Sequence, residues 1–194
     1  MTTLIGQVRS STLAIIATLT FAAAAAAQST AAAPDVRIDI DNFARVSDTY
    51  FRGAQPQGSD YEDLARLGVK TVINLIGDSD LDVVEQSRVE QQGMRYVRIP
   101  MSTRKAPTAA QLAEFLAIID DPDSGPVYVH CVGGRHRTGV MTAVYRMSKD
   151  GLSGAQAFSE MKRFKYGPDF LHPEFKKFVL EYDAKKPVLA NAGG

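Results

Sequence analysis

Tryptophan is absent from the 194 residues, cysteine occurs once and histidine three times. One cysteine cannot close an internal disulfide, so the fold draws nothing from intrachain cross-links. The set of His130, Cys131, His136 and His172 has no standard zinc-ligand spacing, and no metal or other cofactor is expected. An excess of one charge is missing too. The 22 Lys and Arg residues balance 22 Asp and Glu, which removes the electrostatic footprint of a nucleic-acid binder or a membrane-surface binder.

Long apolar runs are also lacking. Leu13 to Ala22, continued by alanine to Ala27, is too short and too alanine-rich for a comfortable membrane span. Arg9 is the one charge before it, and small residues precede Gln28. The pattern reads as a secretory signal peptide over residues 1–27, cleaved between Ala27 and Gln28. A retained anchor and a mitochondrial presequence are the competing readings. No twin arginine is present and no cysteine follows the run, which excludes a lipoprotein. The expectation is an exported chain, periplasmic or secreted, without membrane attachment after cleavage. Residues 28–35 read as a flexible linker, 36–184 as one domain large enough to bury a core, and 185–194 as a flexible tail. A monomer is expected.

Within the domain, Val36 to Ile40 alternates like a strand, and Phe43 to Val46 with Tyr50 to Arg52 resembles a hairpin. Ser59 is placed to cap a helix that Gly68 stops. Strands are predicted at Thr71–Ile76, Arg95–Ile99 and Val127–His130. Helices are predicted near 83–92, 107–119, 138–149, 153–164 and 172–182. The alternation of strands and helices predicts an α/β fold, with a central, mostly parallel sheet and helices on both faces. In such sheets, sites form at the carboxyl ends of the strands.

Cys131 follows one of these strands and precedes a helix, in the stretch Val-His-Cys-Val-Gly-Gly-Arg-His-Arg-Thr-Gly. Gly133 and Gly134 allow a tight turn. The backbone N–H groups of such a turn, Val132 through His136, converge on one point at a helix N-terminus and attract a tetrahedral dianion. Arg137 adds a planar fork of donors that grips two phosphoryl oxygens. The same positive field stabilises a thiolate. Cys131 and Arg137 are therefore the candidate catalytic pair, with Val132, Gly133, Gly134, Arg135 and His136 binding phosphate. The chemistry is in-line attack, a phosphocysteine intermediate and hydrolysis. Thr138 is placed to donate its hydroxyl to the departing sulfur, and His130 to hold the loop backbone. His136 either lines the pocket or faces water.

The ten residues His130 to Gly139 resemble the signature His-Cys-x-x-Gly-x-x-Arg-Ser/Thr-Gly of the cysteine-dependent protein tyrosine phosphatase superfamily. Phe51 to Pro56, Thr71 to Leu75 and Tyr96 to Pro100 are similar to core segments of its small dual-specificity members. The resemblance spans about Phe43 to Phe178. It implies a phosphatase-like three-layer fold and a substrate that is a phosphorylated protein or a small anionic phosphate. The Arg135-His136-Arg137 run is similar to the loop of an atypical plant-and-fungi type, several of which act on inositol polyphosphates and pyrophosphates.

One departure stands out. Where the family often has an aspartate general acid, the loop Pro100 to Pro107 carries Thr103, followed by Arg104 and Lys105. These two cations either recruit substrate or are solvated. Asp78, Asp80 and Asp82 follow a neighbouring strand and are the replacement candidates for the acid. Asp120, Asp121 and Asp123 precede their strand and belong to the opposite edge. Arg52 either borders the pocket or pairs with an acid. Two rival classes remain: a phosphate-binding module that lost turnover, and a rhodanese-type sulfurtransferase, which the Arg137-Thr138-Gly139 ending disfavours.

Overall fold

Four parallel strands and one antiparallel edge strand set the architecture, and β-branched and aromatic residues place them. The computed structural model describes residues 37–77 and 84–186. The signal peptide and the linker, the tail beyond residue 186, and Asp78, Asp80 and Asp82 lie outside the described residues. β1 (Ala44–Arg45) and β2 (Tyr50–Gly53) form the short antiparallel pair. β3 (Thr71–Asn74), β4 (Arg95–Arg98) and β5 (Val127–His130) complete a five-stranded sheet in the order β1-β2-β5-β3-β4.

β5 is paired on both edges, by β2 and β3, and helices cover its side chains on both faces, which suits the run Val-Tyr-Val-His. Alternation then splits the core in two. Phe51, Val72 and Tyr128 pack with Tyr61 and Leu64 of α1 (Asp60–Arg66) and Val89 of α2 (Glu85–Gln91). Tyr50, Ile73 and Val129 pack with Leu112 and Phe115 of α3 (Ala109–Asp120) and Met141 and Val144 of α4 (Arg137–Lys149). A further layer, α5 (Gly154–Arg163) and α6 (Pro173–Glu181), covers the far side of α4 through Phe158, Met161, Phe175 and Val179. Residues from Arg137 to Tyr145 of α4 are therefore buried without a break, as a helix between two layers must be.

Two local expectations fail. Residues 37–40 form no strand. Ile38 and Ile40 pack on the core, but the chain turns at Asp41-Asn42, where Phe43 N–H bonds the Ile40 carbonyl, so no ladder forms. Ser59 occupies the N-cap position of α1, yet it lies in the helical region and its side chain makes no capping bond. Capping boxes do begin α3 (Thr108 with Gln111) and α5 (Ser153 with Gln156).

Candidate active site

The parallel register brings Gly53, Asn74 and His130 level at the carboxyl edge of the sheet. The next residues of each strand surround Cys131. Leu75 N–H bonds the His130 carbonyl at 2.9 Å, and Arg137 Nη1 donates to the Leu75 carbonyl at 3.4 Å. Gln55 N–H donates to the Val132 carbonyl at 3.1 Å, Asn42 Nδ2 to the Gly133 carbonyl at 2.7 Å, and Arg52 Nη2 to the Gly134 carbonyl. Three consecutive loop carbonyls are thus tied outward. The described peptides are all trans, so each following N–H, on Gly133, Gly134 and Arg135, points the other way. Gly134 has φ +63°, and a Cβ there would lie 2.4 Å from the Gly53 carbonyl carbon, so only glycine fits.

A cavity of about 250 Å³ opens above this loop, lined by Thr103, Cys131, Val132, Gly133, Arg135, His136, Arg137 and His172. Cys131 is 4% exposed at its floor. Burial pushes its thiol up, but hydrogen bonding from the Thr138 hydroxyl and backbone, the Arg137 charge and the Gly134 N–H outweigh burial, and the pKa lies below the ordinary thiol value. Thr138 Oγ1 is buried with no partner of good hydrogen-bond geometry among the described residues, yet it sits close enough to the sulfur to stabilise its charged form.

Arg52 is fully buried, stacked over the Phe164 ring with its guanidinium carbon 4.0 Å from the centroid. Its Nε and Nη1 have no hydrogen-bond partner among the described residues. Burial holds its pKa below the usual arginine value. It neither borders the cavity nor pairs with an acid among the described residues; it clasps the loop from behind.

His130 does not hold the loop backbone. Its Nε2 lies 3.0 Å from Glu85 Oε1, both groups fully buried, in an alignment too poor for a good hydrogen bond. The other Glu85 oxygen accepts from Asn74 Nδ2 at 2.5 Å. His136 lines the cavity, its Nε2 2.9 Å from the Tyr166 carbonyl and its ring centroid 3.8 Å from that of His172. Burial holds His136 below its ordinary value, opposed by the Tyr166 carbonyl and reinforced by His172, Arg135 and Arg137. Arg104 and Lys105 are exposed and do not line the cavity, although Thr103 between Ser102 and them does. Asp121 and Asp123 lie in the turn before β5, where Asp121 bonds the backbone of Asp123, at the opposite edge of the sheet.

Two residues at this site have no role in the sequence reading. Asn42, which ties down the loop, has φ +55°, and Asn is one of the few side chains that tolerates this region. His172, on the cavity wall, precedes a proline and reads from sequence only as the start of a helix.

The family model described as "DSP-PTPase phosphatase fused to NAD+ Kinase" matches residues 35–174. The dual specificity protein phosphatase TpbA of Pseudomonas aeruginosa strain UCBPP-PA14 is 32% identical over 153 residues, 79% of this chain and 68% of that protein. A structure of P. aeruginosa TpbA in complex with pTyr aligns with TM-score 0.62 and 28% identity, over 74% of this chain and 85% of that one. The inositol diphosphatase SIW14 of Saccharomyces cerevisiae is 26% identical over 134 residues, 66% of this chain and 47% of that protein. Its catalytic core, at 24% identity, shares the fold with TM-score 0.66 over 77% and 90% of the two chains.

Proposed function

The chain belongs to the DSP-PTPase family of cysteine-dependent phosphatases, and from that premise we propose that it hydrolyses phosphate monoesters through a phosphocysteine on Cys131. The observation that carries the reading is the meeting, on one cavity, of a thiol with lowered pKa, the inward N–H groups of Gly133, Gly134 and Arg135, and the Arg137 guanidinium.

Cys131 Sγ attacks phosphorus in line with the leaving oxygen; the S–P bond forms as the P–O bond breaks. The loop N–H groups and Arg137 hold the equatorial oxygens, whose charge is spread most widely at the transition state. Water then attacks the phosphocysteine, phosphate leaves, and the Thr138 hydroxyl stabilises the returning thiolate. The residues present supply the oxyanion contacts themselves, so activity is expected to survive chelator. Release of phosphate from an aryl phosphate by the protein, but not by Cys131→Ser, in the presence of chelator and reductant, is the expected result. Binding of inorganic phosphate with no turnover would instead mark a pseudophosphatase.

A second reading, an inositol polyphosphate or pyrophosphate phosphatase, draws on the cationic and imidazole rim of Arg135, His136 and His172 and on the name of the SIW14 relative. Comparing kcat/KM for a phosphotyrosine peptide and an inositol pyrophosphate decides between the two. The apolar run and small-residue site before Gln28 support export, and a mature N-terminus at Gln28 by mass spectrometry is the expected outcome. A monomeric mass by light scattering, and no retention on nucleic acid, are expected as well. No helix among the described residues is long and apolar enough to cross a membrane.

A further inference from the structure

Loss of an alkoxide or phenoxide from phosphorus needs a proton delivered to the leaving oxygen. Among the described residues, no carboxylate lines the cavity, and Thr103 has no proton to give at neutral pH. Two imidazoles remain, and their surroundings differ. His136 Nε2 is 2.9 Å from the Tyr166 carbonyl. A carbonyl only accepts, so that nitrogen is committed to a structural bond.

His172 is held differently. Its Nδ1 is 3.3 Å from Glu174 Oε1, a carboxylate from the first turn of α6. Its ring is packed between His136, at 3.8 Å between centroids, and Phe175, at 5.6 Å and nearly parallel. Its backbone carbonyl accepts from the Tyr166 hydroxyl at 2.5 Å. The ring, which belongs to the cavity wall, is therefore fixed in position with Nδ1–H directed at the carboxylate, while its Nε2 has no hydrogen-bond partner among the described residues. A carboxylate that orients an imidazole by one nitrogen so that the other can move a proton is a recurring catalytic arrangement. The charged and titratable groups around the ring are Glu174 on α6, His136 on the loop and Tyr166 after α5, and Arg135 and Arg137 line the same cavity.

We propose that His172, oriented by Glu174, is the proton donor to the leaving oxygen; the proposal rests on the phosphatase reading above. In the first step His172, protonated on both ring nitrogens with Nδ1–H on Glu174, passes its Nε2 proton to the ester oxygen as the P–O bond breaks and the S–P bond forms, which leaves the neutral Nδ1–H imidazole. In the second, water attacks phosphorus, the S–P bond breaks, and the water's proton returns to Nε2.

The test compares phenyl phosphate, whose leaving group needs the proton, with 2,4-dinitrophenyl phosphate, whose leaving group does not. His172→Gln is expected to lose about 100-fold or more in kcat on phenyl phosphate and less than about threefold on the dinitrophenyl ester. Its inhibition constant for inorganic phosphate should stay that of the parent protein, which shows that the loop is intact. Glu174→Gln should show the same selectivity in weaker form. Equal losses on both esters, or no loss on either, overturn the proposal. So does the appearance of this leaving-group signature in Asp78→Asn, Asp80→Asn or Asp82→Asn with none in His172→Gln. A parent protein that hydrolyses neither ester fails at the earlier step and removes the phosphatase reading, a result distinct from a selective His172 effect.

Discussion

Cys131 is reactive because of its neighbours rather than its exposure. Folding lowers its pKa, so the thiolate forms at lower pH in the folded chain than in the unfolded one. The stability this contributes is fully present above the unfolded thiol's pKa and is lost as pH falls through the folded value. Thr138→Val removes the hydroxyl and keeps the shape. The midpoint for alkylation of Cys131 by iodoacetamide should then move to higher pH, and the acidic limb of kcat/KM should move with it. Gly134→Ala is a sharper case. The new Cβ would meet Gly53 backbone at 2.4 Å in a left-handed conformation, so the loop must change shape. Activity should fall about 100-fold or more, while Tm reports a loss of about 1–3 kcal/mol. The grouping of Cys131, Gly134 and Arg137 is legible in sequence because one strand-turn-helix loop holds them all. The carbonyl partners are not. Asn42 and Arg52 meet the loop across 91 and 82 positions of chain, and no local pattern says which distant strand end faces which.

At the scale of elements, β-branched runs and glycine stops place the strands and helices well, since each rule acts within one turn or one strand. Gly68, Gly93 and Gly151 all take positive φ just past helix ends. The failures share a cause. Residues 37–40 have the alternation of a strand but turn away at Asp41-Asn42 before pairing, and burial alone does not make a ladder. Ser59 shows that a residue suited to capping caps only if the incoming chain leaves the helical region. Ser153 does cap, and Ser153→Ala should cost about 1 kcal/mol in denaturant midpoint with kcat unchanged. Its neighbour behaves differently. A Cβ on Gly154 would lie 2.5 Å from the Val179 carbonyl, so Gly154→Ala forces α5 and α6 apart. Because His172 sits at the start of α6, this variant is expected to lose both stability and activity on phenyl phosphate, a coupling that Ser153→Ala lacks.

For the whole molecule, the order of strands matters more than their number. The sheet order puts β5 in the middle although it comes last in the chain, so its loop is surrounded by material from both earlier halves. That mostly parallel placement is what strand–helix alternation predicts; the choice of centre is not, because β5 pairs with β2 and β3, strands far from it along the chain. α4, covered by the sheet on one side and by α5 and α6 on the other, ties the two layers together directly behind the loop.

The clasp on the loop carries a consequence in time. Its donors, from Asn42 to Gln55, are synthesised long before their acceptors, Val132 to Gly134. Contacts so distant along the chain form late, since the intervening segment must first be organised. Helices arise early from local signals, whereas the oxyanion pocket exists only once the two ends of this sequence interval have met. In refolding from denaturant, the far-UV signal should therefore recover first and phosphate hydrolysis afterwards, in step with burial of Tyr50 and Tyr128. A nascent chain would stay catalytically silent until its last strand slides between two that are already waiting.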